Sequence, residues 1–339
     1  MRHLPFSTHA RRMFVVIVGF LLAAVMAPVS AWATTATTYR IVDLGTLGGS
    51  LARAEAVNDR GQAVGFSITS TGEEHAFLWS GGRMSDIGTL GGTFSTASDI
   101  NNNGDVVGYS TTASGEGFPF LWSHGEMTNL GGLYCSAESI NDHGQVVGNC
   151  SSRPVMWWHG QMTELSEHGL APYSTARDIN DAGQIVGGFP TTAGEFHAYR
   201  YHDGQLVDLG ALVSSYSEAL AVNGRGQAAG RGNSPSGYQH AYYWSGGSIV
   251  DIGTLGGPYS EALGLNNRGQ VVGVASTADS LHGFVWRRGV LVDLGVAATG
   301  GPNGSRATDV NAHGLIVGGS DVASGENHAV LWRPTRTEH

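Results

Sequence analysis

The stretch Tyr39-Arg40-Ile41-Val42-Asp43-Leu44-Gly45 reads as a strand, and it stands alone. Everywhere else a run of this kind, such as Arg83 to Gly88, closes a set of four strand-like runs. Here no third run stands before it. At the other end, His328 to Trp332 matches a third run, and Arg333 to His339 supplies no fourth. The two orphans complement each other. The expectation is that Tyr39 to Leu44 pairs with the strand ending at Trp332, leaving no edge unpaired for want of a strand.

Between these ends a string Ala-x-x-hydrophobic-Asn recurs seven times, finishing at Asn58, Asn101, Asn141, Asn180, Asn223, Asn266 and Asn311. The intervals are 43, 40, 39, 43, 43 and 45 residues. Each copy contains four short runs. The first is Ser-x-Ala-x-x-Ile-Asn, as at Ser95 to Asn101, followed by a tight turn such as Asn58-Asp59-Arg60-Gly61. Asn and Asp side chains close such turns, and Gly supplies the positive φ that ends them. The second run is Gln-Val-Val-Gly, as at Gln145 to Gly148. The third is His75 to Trp79 and its equivalents, with Phe118 to Trp122 and Pro154 to Trp158 completing the series. The fourth is the Arg83 to Gly88 type. Four strands per unit at this period predict an all-β closed seven-bladed β-propeller over residues 39–332, with four antiparallel strands per blade and the N-terminal strand completing the last blade. A short lead-in at 34–38 and a tail at 333–339 flank it.

Composition agrees. The chain has 52 glycines in 339 residues and only 14% charged residues, which suits many short strands between glycine turns. A formal net charge of −10 argues against nucleic acid or an anionic membrane as partner. Arg2, Arg11 and Arg12 precede an apolar run from Met13 to Val29, and Ala31-Trp32-Ala33 places small residues where a signal peptidase reads. Residues 1–33 are therefore expected to be a signal peptide; a retained anchor is the alternative, since the run is about long enough to span. Arg11-Arg12 leaves the export route open. The product is expected in the periplasm or outside the cell, monomeric and free of the membrane once the leader is removed.

The repeats resemble those of the HAF-repeat family of extracellular proteins, named for the string present here as His75-Ala76-Phe77. The resemblance covers residues 39–332, with weaker echoes at His197, His240, His282 and His328, and it departs at Phe118 and Pro154. It implies export and a repeat fold and carries no established activity.

Cys135 and Cys150 flank one predicted hairpin. A two-residue turn at Asp142-His143 would set them opposite each other, whereas a glycine bulge at Gly144 would shift the register by one. An oxidising compartment favours a disulfide. The recurring histidines are spaced evenly, so they would lie on a ring instead of converging on one ion. Pairing with the series Asp43, Asp86, Asn129, Glu164, Asp208, Asp251 and Asp293 is the better reading. The segment Asp99 to Asp105 resembles part of a calcium loop but lacks the later bidentate acid. No metal and no cofactor are expected. Trp79, Trp122, Trp158, Trp244, Trp286 and Trp332, with Tyr201 as the seventh, are expected to fill space between sheets.

Turns after the first and third strands share one face and are short; loops after the second and fourth share the other and vary. Variable loops on a rigid scaffold mark the candidate binding face. One register there reads Leu51, Phe94, Tyr134, Tyr173, Tyr216, Tyr259 and Gly304. Its five aromatics could stack on sugar faces at a channel mouth, or pack between blade tops. A second candidate is Glu164 to His168, where the glycine motif is lost and Glu167 and His168 stand out. The leading expectation is a non-enzymatic binding or scaffold protein for a glycan or an envelope protein. The alternative is a carbohydrate-active hydrolase or lyase, for which Glu167, Glu218 and Glu261 are the first acids to test.

Overall fold

The structure is a computed structural model that describes residues 37–213, 215–298 and 304–335. The signal-peptide segment 1–33, most of the lead-in and residues 336–339 lie outside the described residues. Among these there are 28 strands and one short 3-10 helix, Leu165–His168. The strands fall into antiparallel groups of four. The first group is Gly48–Val57, Ala63–Thr69, Glu74–Ser80 and Arg83–Asp86. Later groups begin at Gly91–Ile100, Ser136–Ile140, Thr175–Ile179, Ser217–Val222, Ser260–Leu265 and Ser305–Val310. Two single parallel bridges, Leu51 with Asn327 and Glu74 with Phe94, link the seventh, first and second sheets into one path.

The seventh sheet takes its fourth strand from the other end of the described chain. Thr38–Gly45 pairs antiparallel with Asn327–Thr335, placing Ile41 opposite Trp332. The strand extends beyond the sequence-based boundary. Arg333, Pro334 and Thr335 face Arg40, Tyr39 and Thr38, so these three residues belong to the sheet and not to a frayed tail. First strands lie side by side in order, each against the next, and Ser305–Val310 lies against Gly48–Val57.

Local chemistry explains the repetition. At the first turn Asn58 N donates to Gln62 O at 3.0 Å, and Gly61 N donates back to Asn58 O at 3.0 Å. Asn58 Oδ1 accepts from the amides of Arg60 and Gln62, and Gly61 takes φ +73°. This turn holds one residue more than a two-residue hairpin, and a second irregularity inside the first strand cancels the shift. In the third sheet Ile140 faces Val146 and Ser139 faces Val147, but Ala137 faces Gly148 and Ser136 faces Asn149. Glu138 is the bulged residue. The same bulge falls one residue after the recurring alanine in every first strand. Bulges re-aim side chains, and these seven point away from the sheet–sheet core. The paired shifts also carry Cys135 opposite Cys150, which are joined in a disulfide. Both readings of that hairpin thus hold part of the truth: the glycine turn forms, and a bulge restores the register.

Each alanine is buried against the neighbouring sheet, as Ala54 is beside Phe77, Ala329 and Leu331. Its cross-strand partner must be glycine: a Cβ on Gly65 would meet Arg53 O at 2.0 Å. The aromatic register sits opposite the start of each second strand, with Trp79 facing Ala63 and Trp332 facing Ile316. In the third sheet that place belongs to Trp157, opposite Val146, and the assignment of Trp158 is corrected. A two-residue turn at Ser151 and Ser152, φ 48° and 66°, starts the third strand at Arg153. Arg153 then occupies the position of His75, Trp157 is 2% exposed and Trp158 is left 45% exposed.

Candidate binding site at the channel mouth

Residues from the first strands of all seven sheets line a common central cavity, and successive positions along them lie in layers. At one end stand the seven asparagines. Asn58 Nδ2 donates to Asn101 O at 3.0 Å, Asn101 to Asn141 O at 3.1 Å and Asn141 to Asn180 O at 3.1 Å. Asn180 donates to Asn223 O at 2.8 Å, Asn223 to Asn266 O at 3.0 Å, Asn266 to Asn311 O at 2.9 Å, and Asn311 returns to Asn58 O at 2.9 Å.

Deeper in the channel, two positions past the recurring alanine, lie three half-buried aspartates. Asp99 accepts from the amides of Ile100 and Ile140, Asp178 from Ile179 and Val222, and Asp309 from Val310 and Val57. Each therefore ties its own sheet to the next one. Ser139 Oγ lies within hydrogen-bond reach of both Asp99, at 2.8 Å, and Asp178, at 2.7 Å. Burial, reinforced by the Asp178 charge, pushes Asp99 up to about 7. Burial raises Asp309 to about 6, and Asp178 is raised for the same reason.

At the opposite end, where the variable loops emerge, repetition gives way to charge. The position before the recurring alanine reads Arg53, Thr96, Ser136, Thr175, Glu218, Glu261 and Arg306, and the bulged position adds Glu55, Glu138 and Arg177. Arg177 Nε donates to Glu218 Oε1 at 2.8 Å. Arg231, directly across the strand pair from Glu218, donates to Glu218 Oε2 at 2.8 Å and to Glu261 Oε1 at 2.8 Å. Arg306 donates to Glu261 Oε2 at 3.1 Å. Tyr216 and Tyr259 hydroxyls cap the same carboxylates at 3.1 and 3.0 Å. The result is a chain of alternating charge across four sheets around a cavity of about 430 Å³. Burial pushes Glu218 up, but the Arg177 and Arg231 guanidiniums outweigh it and hold the carboxyl below its ordinary value. The layering matters: Glu218 and Glu261 side chains are 3% and 6% exposed, whereas Arg177, Arg231 and Arg306 are 32%, 28% and 37% exposed.

The aromatic register splits. Tyr216 and Tyr259 join the charged network, and Tyr216 also stacks on Phe196 with ring centroids 5.9 Å apart. Phe94 packs edge-on against Tyr109 at 6.2 Å. Tyr134 and Tyr173, both at positive φ, are 67% and 74% exposed. Glu167 is exposed on the 3-10 helix, and His168 O accepts from Tyr201 at 2.8 Å, which places His168 beside the turn at 202–204, away from the mouth. Of the histidines, His75, His197, His240, His282 and His328 each contact the aspartate of the paired fourth strand, as His75 does Asp86 at 2.7 Å and His328 does Asp43 at 3.0 Å. In the third sheet Arg153 and Glu164 take those places at 3.1 Å. Among the described residues no group of three His, Cys, Asp or Glu side chains could hold a metal, and no helix is long and apolar enough to cross a membrane.

Of the residues gathered at the mouth, Tyr216, Tyr259, Glu218 and Glu261 are among those the sequence points to, whereas Arg177, Arg231 and Arg306 are not. The signal of the mouth was available in the column before the alanine, where charge replaces hydroxyl in three of the last copies and in the first.

No family model matches the chain, and no curated protein matches it. Solved structures do. The β-propeller domain of the Trilobed protease from Pyrococcus furiosus is 11% identical, with a TM-score of 0.54 over 87% of this chain and 95% of that one. The extracellular domain of a B. thetaiotaomicron protein classed as a hybrid two-component system is 13% identical, with a TM-score of 0.53 over 89% of this chain and 40% of that one. Pyrococcus horikoshii acylaminoacyl peptidase is 12% identical, with a TM-score of 0.51 over 84% of this chain and 53% of that one. At such identities the likeness concerns the fold alone, which is a β-propeller.

Proposed function

We propose that the chain is an exported, non-enzymatic binding protein, one closed seven-bladed β-propeller that recognises acidic groups of a glycan or envelope protein at its loop-face channel mouth. Closure is supported by the asparagine hydrogen bonds that return from Asn311 to Asn58, and by the pairing of Thr38–Gly45 with Asn327–Thr335. Export is supported by the leader-like N-terminal sequence, by the resemblance to HAF-repeat proteins and by the Cys135–Cys150 disulfide, a bond suited to oxidising compartments.

The observation that carries the binding reading is the layering at the mouth. Guanidiniums stand outermost over carboxylates that they cover, so an arriving ligand meets planar, multidentate donors suited to carboxylate or sulfate. The same pairing weakens the hydrolase reading. Glu218 is held ionised, and both Glu218 and Glu261 are occupied by arginine and tyrosine, so neither is placed to protonate a leaving group.

The test is binding of the mature protein to glycan and envelope-protein arrays, repeated with Arg306→Ala, whose side chain is among the more exposed of the set. Retention of an acidic ligand that weakens about tenfold or more in the variant supports the proposal. Background signal throughout, or affinity indifferent to Arg306, overturns it. Turnover of a polysaccharide that is lost in Glu218→Gln would restore the enzymatic reading.

A further inference from the structure

A different cavity opens on the opposite face. At that end six of the seven grooves between neighbouring sheets are filled by the tryptophan of one sheet meeting a side chain of the sheet before it. Trp244 meets Arg200 at 5.3 Å and Trp286 meets Tyr243 at 5.2 Å. Trp79, Trp122, Trp157 and Trp332 meet Leu331, Leu78, Leu121 and Val285. The fourth sheet alone offers a tyrosine, Tyr201, against the slim Met156. A cleft of about 780 Å³ lies there between the third and fourth sheets, within the range of about 300–1,000 Å³ common to small-molecule sites.

The cleft gathers three departures from the repeat. Trp158, displaced from the core by the one-residue offset of its strand, stands at its wall 45% exposed, its ring 4.4 Å from that of His159. The 3-10 helix that replaces the glycine motif brings in Leu165 and His168. The turn after the first strand contributes His143. Among the described residues, Trp158 Nε1 and the side chains of His143, Thr163 and His168 have no hydrogen-bond partner within the protein. At the register of Trp158, Ser123 Oγ donates to Asp105 in the second sheet and Ser245 Oγ accepts from Gln227 Nε2 at 3.1 Å in the fifth.

This combination selects a ligand class. No lysine or arginine lines the cleft to attract an anion. Its acids do not converge: Asp181 accepts from the Asp142 amide at 2.9 Å and Asp203 sits 3.6 Å from His202. An open indole face beside unspent donors and acceptors fits a molecule with an apolar C–H face and a hydroxyl edge. We propose that the cleft between the third and fourth sheets binds a neutral saccharide, one sugar ring stacked on Trp158 and its hydroxyls met by His143, Thr163 and His168. The site is separate from the charged mouth and stands or falls independently of it.

The experiment titrates the mature protein with cellotriose, chitotriose, maltotriose and mannotriose, and with a proline-rich peptide, following heat and tryptophan fluorescence. At least one trisaccharide should bind saturably at millimolar concentration or below. Trp158→Ala should weaken it at least tenfold with little change in melting temperature, because the ring is half in solvent. Tyr201→Trp, which gives this groove the plug of the other six, should do the same while the fold persists. Arg306→Ala should leave the affinity unchanged. Failure of every trisaccharide to saturate, binding indifferent to Trp158 and Tyr201, or a response to the peptide alone would each overturn the proposal.

Discussion

The two ends of the channel are built on different chemistry from the same strand. The asparagine end uses one residue seven times; the mouth uses arginine, glutamate, serine and threonine at equivalent positions. A primary amide is donor and acceptor at once, so identical copies can link head to tail and return to the start. Charges cannot do so, because neighbours must differ in sign, and a ring of seven cannot alternate without a fault. The fault is visible: Arg177, Glu218, Arg231, Glu261 and Arg306 alternate, and then Arg53 follows Arg306 while Thr96 and Ser136 carry no charge. Sevenfold uniformity therefore goes with a repeated structural bond, and the broken ring is where the proposed recognition is placed.

The sharpest test of that contrast is Asn180→Ala. It removes the bond to Asn223 O and two backbone amides' acceptor in a buried site, and should cost about 3–5 kcal/mol in urea unfolding. A loss below 1 kcal/mol would break the claim that the ring is structural. Glu218→Gln comes next. It leaves Arg177 and Arg231 short of a charge while they stay partly hydrated, and about 1–3 kcal/mol should be lost at pH 7. Because the folded carboxyl titrates below its ordinary value, its contribution is present above the unfolded pKa and disappears as pH falls through the folded one. The difference between wild type and Glu218→Gln should therefore shrink on acidification.

The aspartates should behave in the reverse sense. Asp99, raised to about 7 from 3.8, binds its proton more tightly when folded, so its contribution is full below about pH 4 and is lost as pH rises through 7. Asp99→Asn should flatten that decline by on the order of 1–3 kcal/mol between pH 4 and pH 8, read from unfolding at each pH. An unaltered pH profile would show that the carboxyl is not held proton-loving. The smallest effect is expected at Arg53→Gln, whose pair with Glu55 is 39% exposed on the arginine side; less than about 1 kcal/mol should be lost.

Periodicity made the strands, the turns and the partnership of Tyr39 to Leu44 with the strand of Trp332 legible in the sequence, since each is a local pattern repeated at a fixed distance. The histidine–aspartate pairs were legible for the same reason. The offset of Trp158 was not, because the turn between Cys150 and Arg153 holds two residues where that between Ile68 and Glu74 holds five, and a strand read one residue late has every side chain on the wrong face. The mouth was hidden differently: Arg231 and Glu218 are thirteen residues apart on antiparallel strands, and Glu261 and Arg306 come from separate repeats. Nor does any residue type announce a bulge such as that at Glu138, which turns its side chain toward the channel.

The pairing of Thr38 with Thr335 spans 297 positions of chain. Sheets one to six can form as soon as their own residues exist, but the seventh must wait for a strand made at the start to meet one made at the end. Closing so long a loop is an entropic toll that no local contact repays in advance. Unfolding should accordingly begin at this seam, and covalently joining residues 37 and 335 through a short linker, with new ends opened in an exposed turn such as 71–72, should slow it. The seam that completes the molecule is also its clasp.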